Sequence, residues 1–378
     1  MQTPTYAPMQ TPTLTPSPTF WTTVGIVAKR EIVQRFLSKS FIISTVVSLV
    51  LLLFAIVGLP RLSELLSGGD TTVAATAEVA AKHQELPGVV FQEVADEAAA
   101  REAVQSEVVD AAIVADAASP TGFKVLGFRN APDGLVSELS ERPEVEILDP
   151  NAPNPMIAYF IAIGFGALWM MSGITFGMSI GNSVVEEKQT RIVEILLASV
   201  SSRALLTGKI VGNSAAAMVQ ILLIVAVVLG GTAINGSAVP VADLTVPLAW
   251  FVVLFLIGFV MVAALYAAAA ALVSRAEDLA NVQQPIMWMV MIPYFLVVFL
   301  SDNPLALAIM SYVPFSAPVS VPMRLFLGQT AMWEPVISVV LLAVTTALII
   351  LVAAKIYDNG LLRTGKPLKW KEALKSDA

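Results

Sequence analysis

The stretch FIISTVVSLVLLLFAIVGL, residues 41–59, decides the fold. It carries no charged residue. A bilayer core takes about 20 apolar residues per helical crossing, because no water there can satisfy free backbone groups. The run therefore reads as a transmembrane helix. A cleaved signal peptide would need a shorter apolar region followed by a small-x-small site, whereas this chain continues Leu59-Pro60-Arg61. We read it as an uncleaved anchor.

Similar runs follow at residues 156–180, 210–233, 247–273, 285–300 and 336–356. Composition agrees: 56% of the 378 residues are hydrophobic and 13% charged, against about 25% charged in soluble domains. The fold class expected is an α-helical polytopic membrane protein with about six transmembrane helices. There is no cysteine and a single histidine, His83. Disulfides, thiolate metal sites and cysteine nucleophiles are excluded, and a histidine-rich metal site is poorly supplied. We expect no metal, no catalytic residues and no cofactor bound by this chain.

Residues 61–150 differ in kind. Seventeen acids stand against six bases, a net charge of about −11. DEAAAREAVQSEVV has helical composition, while DAAIVAD and FKVLGF read as strands separated by an SPTG turn. A small α/β domain is expected there. Residues 1–19 are Thr- and Pro-rich, uncharged, and repeat MQTPT, so they read as a disordered leader within which Met9 rivals Met1 as the start. Residues 20–40 carry Lys29, Arg30, Arg35 and Lys39 against Glu31, with Trp21, Val24 and Ala28 at helical spacing. They read as a basic amphipathic helix on the membrane surface. Residues 304–323 are apolar but broken by Pro304, Pro314, Pro318 and Pro322. A re-entrant or interfacial helix pair is expected, since broken backbone survives at membrane depth only when packed on protein.

Lys and Arg near span ends mark the cytoplasmic side. The segment before the first span has four bases, residues 181–209 have four, residues 274–284 one, and the tail from Lys355 on has six. Residues 234–246 have none and 301–335 only Arg324. Both termini, including the basic tail 357–378, are expected in the cytoplasm of a multi-pass cell-membrane protein, with the acidic domain outside.

The spans hold no clear mid-span acid or base that would mark an ion relay. Polar residues such as Asn182, Asn213, Ser214, Gln220, Gln283 and Gln284 read as helix–helix hydrogen bonding or interfacial placement. Gly360–Pro367 has the GxxxxGK spacing of a phosphate loop. However, Pro367 stands where Ser or Thr should be, a membrane helix precedes it, and the short basic tail leaves no room for a nucleotide-binding domain. Gly360 reads instead as a helix C-cap. No nucleic-acid partner is expected.

The most informative stretch is VVEEKQTRIVEILLASVSSRALLTGK, residues 184–209. Glu187, Arg191 and Glu194 fall at i, i+4, i+7, one face of a helix, and Ile192, Ile195 and Leu196 form another. Glu186, Lys188 and Arg203 add charge. The plain reading is an interfacial helix joining two spans, though the two stripes also suit docking to a soluble partner.

Four features together resemble the second-type export permeases of ABC transporters, in particular their sodium-export-like branch. They are AKREIVQRFLSKSFI, the large domain after the first span, VVEEKQTRIVEILLASVSSRALLTGKI, and SYVPFSAPVSVPMRL. Val200-Ser201 stands where many members carry a proline-containing pair. The resemblance covers nearly the whole chain after the leader. It implies a permease without its own ATPase site, working with a cognate ATPase that binds ATP and magnesium, and with a second permease copy in a homo- or heterodimer within the bilayer. It also implies that residues 20–40, with Lys29, Arg30, Glu31 and Arg35, form the connecting helix. The run holding Glu186, Glu187, Lys188, Arg191, Glu194, Ile195, Leu196 and Arg203 would be the ATPase-coupling helix. Pro314, Pro318, Pro322 and Arg324 would lie in the outer re-entrant segment. The exported substrate, sodium or a small amphipathic compound, is not implied. The rival functions are a non-transporting membrane scaffold with an outer binding domain, and a secondary transporter, which would need intramembrane acids and internal repeats.

Overall fold

The computed structural model describes residues 19–58, 61, 71–82, 89–106, 108–116, 119, 122–128, 139, 155–235, 241–361, 363, 368 and 370–375. Residues 1–18 of the leader, His83 and the glycine–lysine part of the phosphate-loop match lie outside those residues. The chain divides into two units, 57–150 and the rest.

In the larger unit, Thr19 caps α1 (Phe20–Leu37), its hydroxyl accepting from the Thr22 amide at 3.4 Å. Ser38 ends α1 in extended backbone and its side chain caps α2 (Lys39–Leu53), which continues as a wider turn over Phe54–Gly58. One serine thus makes the corner between a partly polar helix and an apolar one.

The smaller unit begins with β1 (Thr71–Ala75), α3 (Ala77–Lys82) and β2 (Val89–Glu93). It continues with α4 (Glu97–Gln105), β3 (Ala111–Ala115) and β4 (Phe123–Leu126). The sheet order is β2-β1-β3-β4, parallel except for the β3–β4 pair. Side chains alternate across a strand, so Val73, Ala75, Ala111 and Ile113 meet Val79 and Ala80 on one face. Ala74, Ala112 and Val114 meet Ala100 and Val104 on the other.

The larger unit resumes with α5 (Pro155–Gln189), α6 (Ile192–Leu197), α7 (Ser202–Asn235), α8 (Val241–Ala271) and α9 (Ala276–Phe299). Next come the short α10 (Pro304–Tyr312) and α11 (Ala317–Phe326), then α12 (Glu334–Leu361) and α13 (Trp370–Lys375). Among the described residues, six helices are long and apolar enough to cross a membrane: Phe41–Gly58, Ile157–Gln189, Ser202–Ile234, Asp243–Ala271, Ala276–Phe299 and Glu334–Leu361. The protein is an α-helical polytopic membrane protein. α8 is its central helix, with Phe251, Leu254, Phe255, Phe259 and Tyr266 all buried. Trp169 and Phe176 of α5 pack edge-on against Phe255 and Phe259.

The helices overrun the apolar runs. The second and third candidate spans have 33 residues each, about 50 Å at 1.5 Å per residue, against a hydrocarbon core of about 30 Å. The excess of α5 beyond residue 180 and of α7 before residue 210 carries polar side chains. Gly360 corrects the sequence reading. It lies inside α12 without a left-handed backbone, and a Cβ there would come within 2.6 Å of the Ala271 carbonyl oxygen. The glycine serves close packing of α12 on the end of α8 rather than a cap.

Candidate functional site

The polar overhangs of α5 and α7 meet α1 and bury a charge network. Lys209 of α7 is fully buried, 0% exposed. Its ammonium donates to Glu31 Oε1 at 3.0 Å, Glu187 Oε1 at 2.9 Å and Ser183 Oγ at 2.6 Å. Arg30 of α1 donates to Glu31 at 3.0 Å and also to Glu187. Asn213 Nδ2 donates to Glu31 Oε2 at 3.2 Å. Two carboxylates and two cations from three helices thus share one site. Burying charge costs several kcal/mol per ion unless it is paired and hydrogen-bonded. Burial alone would raise the Glu31 carboxyl. The nearby Lys209 ammonium, with hydrogen bonds from Arg30 and Lys209, outweighs that and holds it below its ordinary value.

The approach that makes this possible is written in small residues. Val24, Val27, Ala28 and Glu31 form the buried face of α1. They face Gly208 and Gly212 of α7, where a Cβ would come 2.5 Å from Val27 Cβ and 2.7 Å from Glu31 Cβ respectively. α1 therefore packs on protein along this face. Trp21, grouped with Val24 and Ala28 from spacing, is 74% exposed and does not share it. Lys29 is exposed, and Arg35 sits over the Phe176 ring at 4.4 Å while donating to Ser179 at 2.8 Å.

Lys188 is buried next to this network and reaches the other way. It donates to the Ala271 carbonyl at 2.8 Å and the Gly360 carbonyl at 3.0 Å. Carbonyls at helix C-termini lack intrahelical partners and carry partial negative charge, so one cation from α5 ties together the ends of α8 and α12. Ser202 and Arg203, at the start of α7, both bond Asp358 of α12, Arg203 at 3.0 Å.

The expected single helix through Glu187, Arg191 and Glu194 is corrected. α5 ends at Gln189, and Arg191 takes φ +56° before α6 starts. That left-handed backbone costs a non-glycine residue about 1–2 kcal/mol. The break rotates the two halves, so the i, i+4, i+7 stripe is not one face. Glu187 and Lys188 point into the packed ends. Glu186, Arg191, Ile192, Glu194 and Ile195 are exposed, while buried Val193 and half-buried Leu196 and Leu197 pack α6 against the core. Ile195 is 74% exposed.

A second cluster lies at the opposite helix ends. Pro314 sits in the turn between α10 and α11, Pro318 in the first turn of α11 and Pro322 inside it. Arg324 of α11 is buried, 6% exposed, and pairs with Glu334 of α12 at 2.7 Å. It also donates to Ser311 Oγ at 3.2 Å and the Gln329 carbonyl at 2.9 Å. Sequence reading missed Lys209, Ser183, Asp358 and Glu334 as partners, and the Gly208–Gly212 pair. The GxxxG spacing was the one available signal.

No solved structure matches this chain with significance. An uncharacterized protein of Methanocaldococcus jannaschii is 30% identical over 222 residues, 58% of this chain and 54% of its own length. An uncharacterized protein of Bacillus subtilis is 23% identical over 212 residues, 53% of this chain and 51% of its own. The chain therefore spans about half the length of the curated relatives it matches. The family model described as ABC-2 family transporter protein matches residues 132–355, which include Glu187, Lys209 and the Arg324–Glu334 cluster, four of the long helices in full and most of a fifth. The chain belongs to the ABC-2 family of transporter proteins.

Proposed function

We propose that the chain is the permease subunit of an ATP-driven exporter, its α6 taking force from a separate ATPase on the cytoplasmic side. One observation carries the reading. α6 presents Ile192, Glu194 and Ile195 to solvent, yet three residues before the kink at Arg191 stands the buried Glu187–Lys188 pair. Glu187 bonds α1 and α7, and Lys188 bonds the ends of α8 and α12. A displacement of α6 is therefore shared by five helices at once. A coupling element needs an accessible surface joined to bistable packing, and the family membership supplies the transport context. The paired charges suit a structural junction better than a proton or sodium relay, because each acid already has a cationic partner.

The partnership extends to a second permease copy, with both termini cytoplasmic and α10–α11 at the outer face. The test is co-expression of the full chain with its cognate ATPase, followed by co-purification and export assays in inverted vesicles. The assays use radioactive sodium and a panel of amphipathic cations. ATP-dependent uptake of any of them, lost in Ile195→Glu, is the expected result. A chain that retains no ATPase would defeat the reading.

A further inference from the structure

A cavity of about 170 Å³ opens between α8 and α12, lined by Leu265 and Ala268 on one side, by Thr345, Leu348 and Val352 on the other, and by Trp370 at its end. Its walls are almost wholly apolar, and Leu348 and Val352 are exposed. Both flanking helices span the membrane, so the opening faces lipid. Trp370 is fixed there from two sides. The Leu368 amide donates to the Leu272 carbonyl at 2.9 Å, and Asn359 Nδ2 donates to the Ala373 carbonyl of α13 at 2.7 Å. Tryptophan prefers the boundary between hydrocarbon and headgroups, which places this end of the groove at headgroup level.

Exposed charges at that end include two lysines and one glutamate. Residues 348, 352 and 355 recur at i, i+4, i+7 along α12, so Lys355 extends the groove's own face toward its mouth, and it is exposed. Lys371 follows Trp370 and is exposed as well, with Glu372 beside it. An apolar slot with an indole at its end, and with Lys355 and Lys371 exposed on the two helices that meet there, matches one molecule of the bilayer: a phospholipid with a net negative headgroup. We propose that this groove is a specific site for an anionic phospholipid, one acyl chain lying along Leu265, Leu348 and Val352 and the phosphate held by Lys355 and Lys371. The site would fasten α13 and the ends of α8 and α12 to the inner leaflet.

The test uses the full chain, delipidated in mild detergent and titrated with phosphatidylglycerol or phosphatidylcholine of matched chains, with native mass spectrometry reading the retained one-to-one adduct. Two cations near a headgroup should favour phosphatidylglycerol by about thirtyfold. Lys355→Ala with Lys371→Ala should bring it down to the phosphatidylcholine level. Val352→Trp, on an exposed position that leaves the core untouched, should fill the slot and remove the retained adduct. Equal retention of the two lipids in the unaltered protein would mean a non-specific lipid film and overturn the site. So would phosphatidylglycerol selectivity that survives the double lysine change, or an adduct that survives Val352→Trp.

Discussion

The two buried ion clusters are built from similar groups and do different work. Arg324 and Glu334 are ten residues apart and fasten a local turn, α10 and α11 onto the start of α12. Lys209 lies 178 residues from Glu31 and 22 from Glu187, so its cluster joins α1, α5 and α7, which no short loop holds together. A local pair mainly fixes the shape of a connection. A long-range pair decides which helices move as one, and this one lies beside the exposed α6.

The largest effect should come from Lys209→Met. It leaves Glu31 and Glu187 without their shared cation, and breaking a buried pair costs about 3–5 kcal/mol. The thermal midpoint in detergent should fall steeply, and α1 should become open to cleavage by trypsin at Lys29 and Arg30. Arg324→Met should lower the midpoint less, since Glu334 lies at a helix start where water can reach it. It should leave α1 protected, and equal exposure of α1 in both variants would erase the distinction. Gly212→Leu comes next. It forces α1 away from α7 at a cost of about 1–3 kcal/mol, the usual range for overpacking, and should release α1 without touching any charge.

Acid offers a graded version. The Glu31 carboxyl is held below its ordinary value near 4.5, so its contribution is complete above about that pH and is lost as pH falls toward the folded value. Thermal melts between pH 7 and pH 3 should show stability dropping below about 4.5, and Glu31→Gln should flatten that drop. Smallest of all should be the stability effect of Ile195→Glu, within about 0.5 kcal/mol as for surface changes generally, although its proposed functional effect is large.

The apolar spans were legible because lipid leaves a helix no choice but a long uncharged run. Strands β3 and β4 were legible as the short runs DAAIVAD and FKVLGF on either side of an SPTG turn. β1, TTVAA, was not, because it is buried on both faces and made of small residues, so no alternation marks it. The break at Arg191 was also hidden. EEKQTRIVEILL keeps unbroken helical spacing with no glycine or proline, and the left-handed residue is imposed by the packing on either side. Lys209 looked like one more loop base because it stands immediately before an apolar run. Its partners lie on α1 and α5, and pairing at that distance is a property of the fold, not of any window of sequence. The near-match to a phosphate loop shows the opposite failure, spacing without the strand and helix that give it meaning.

The most direct test of the coupling role is to measure how much cognate ATPase co-purifies with the full chain when Ile195 is changed to Glu and when Arg324 is changed to Met. The account predicts a loss of about tenfold or more for Ile195→Glu, from burying a new carboxylate in an apolar contact, with the permease still folded by its thermal midpoint. It predicts undiminished ATPase for Arg324→Met under conditions where that variant stays folded. ATPase retained in full by folded Ile195→Glu would contradict the assignment of α6 as the docking element.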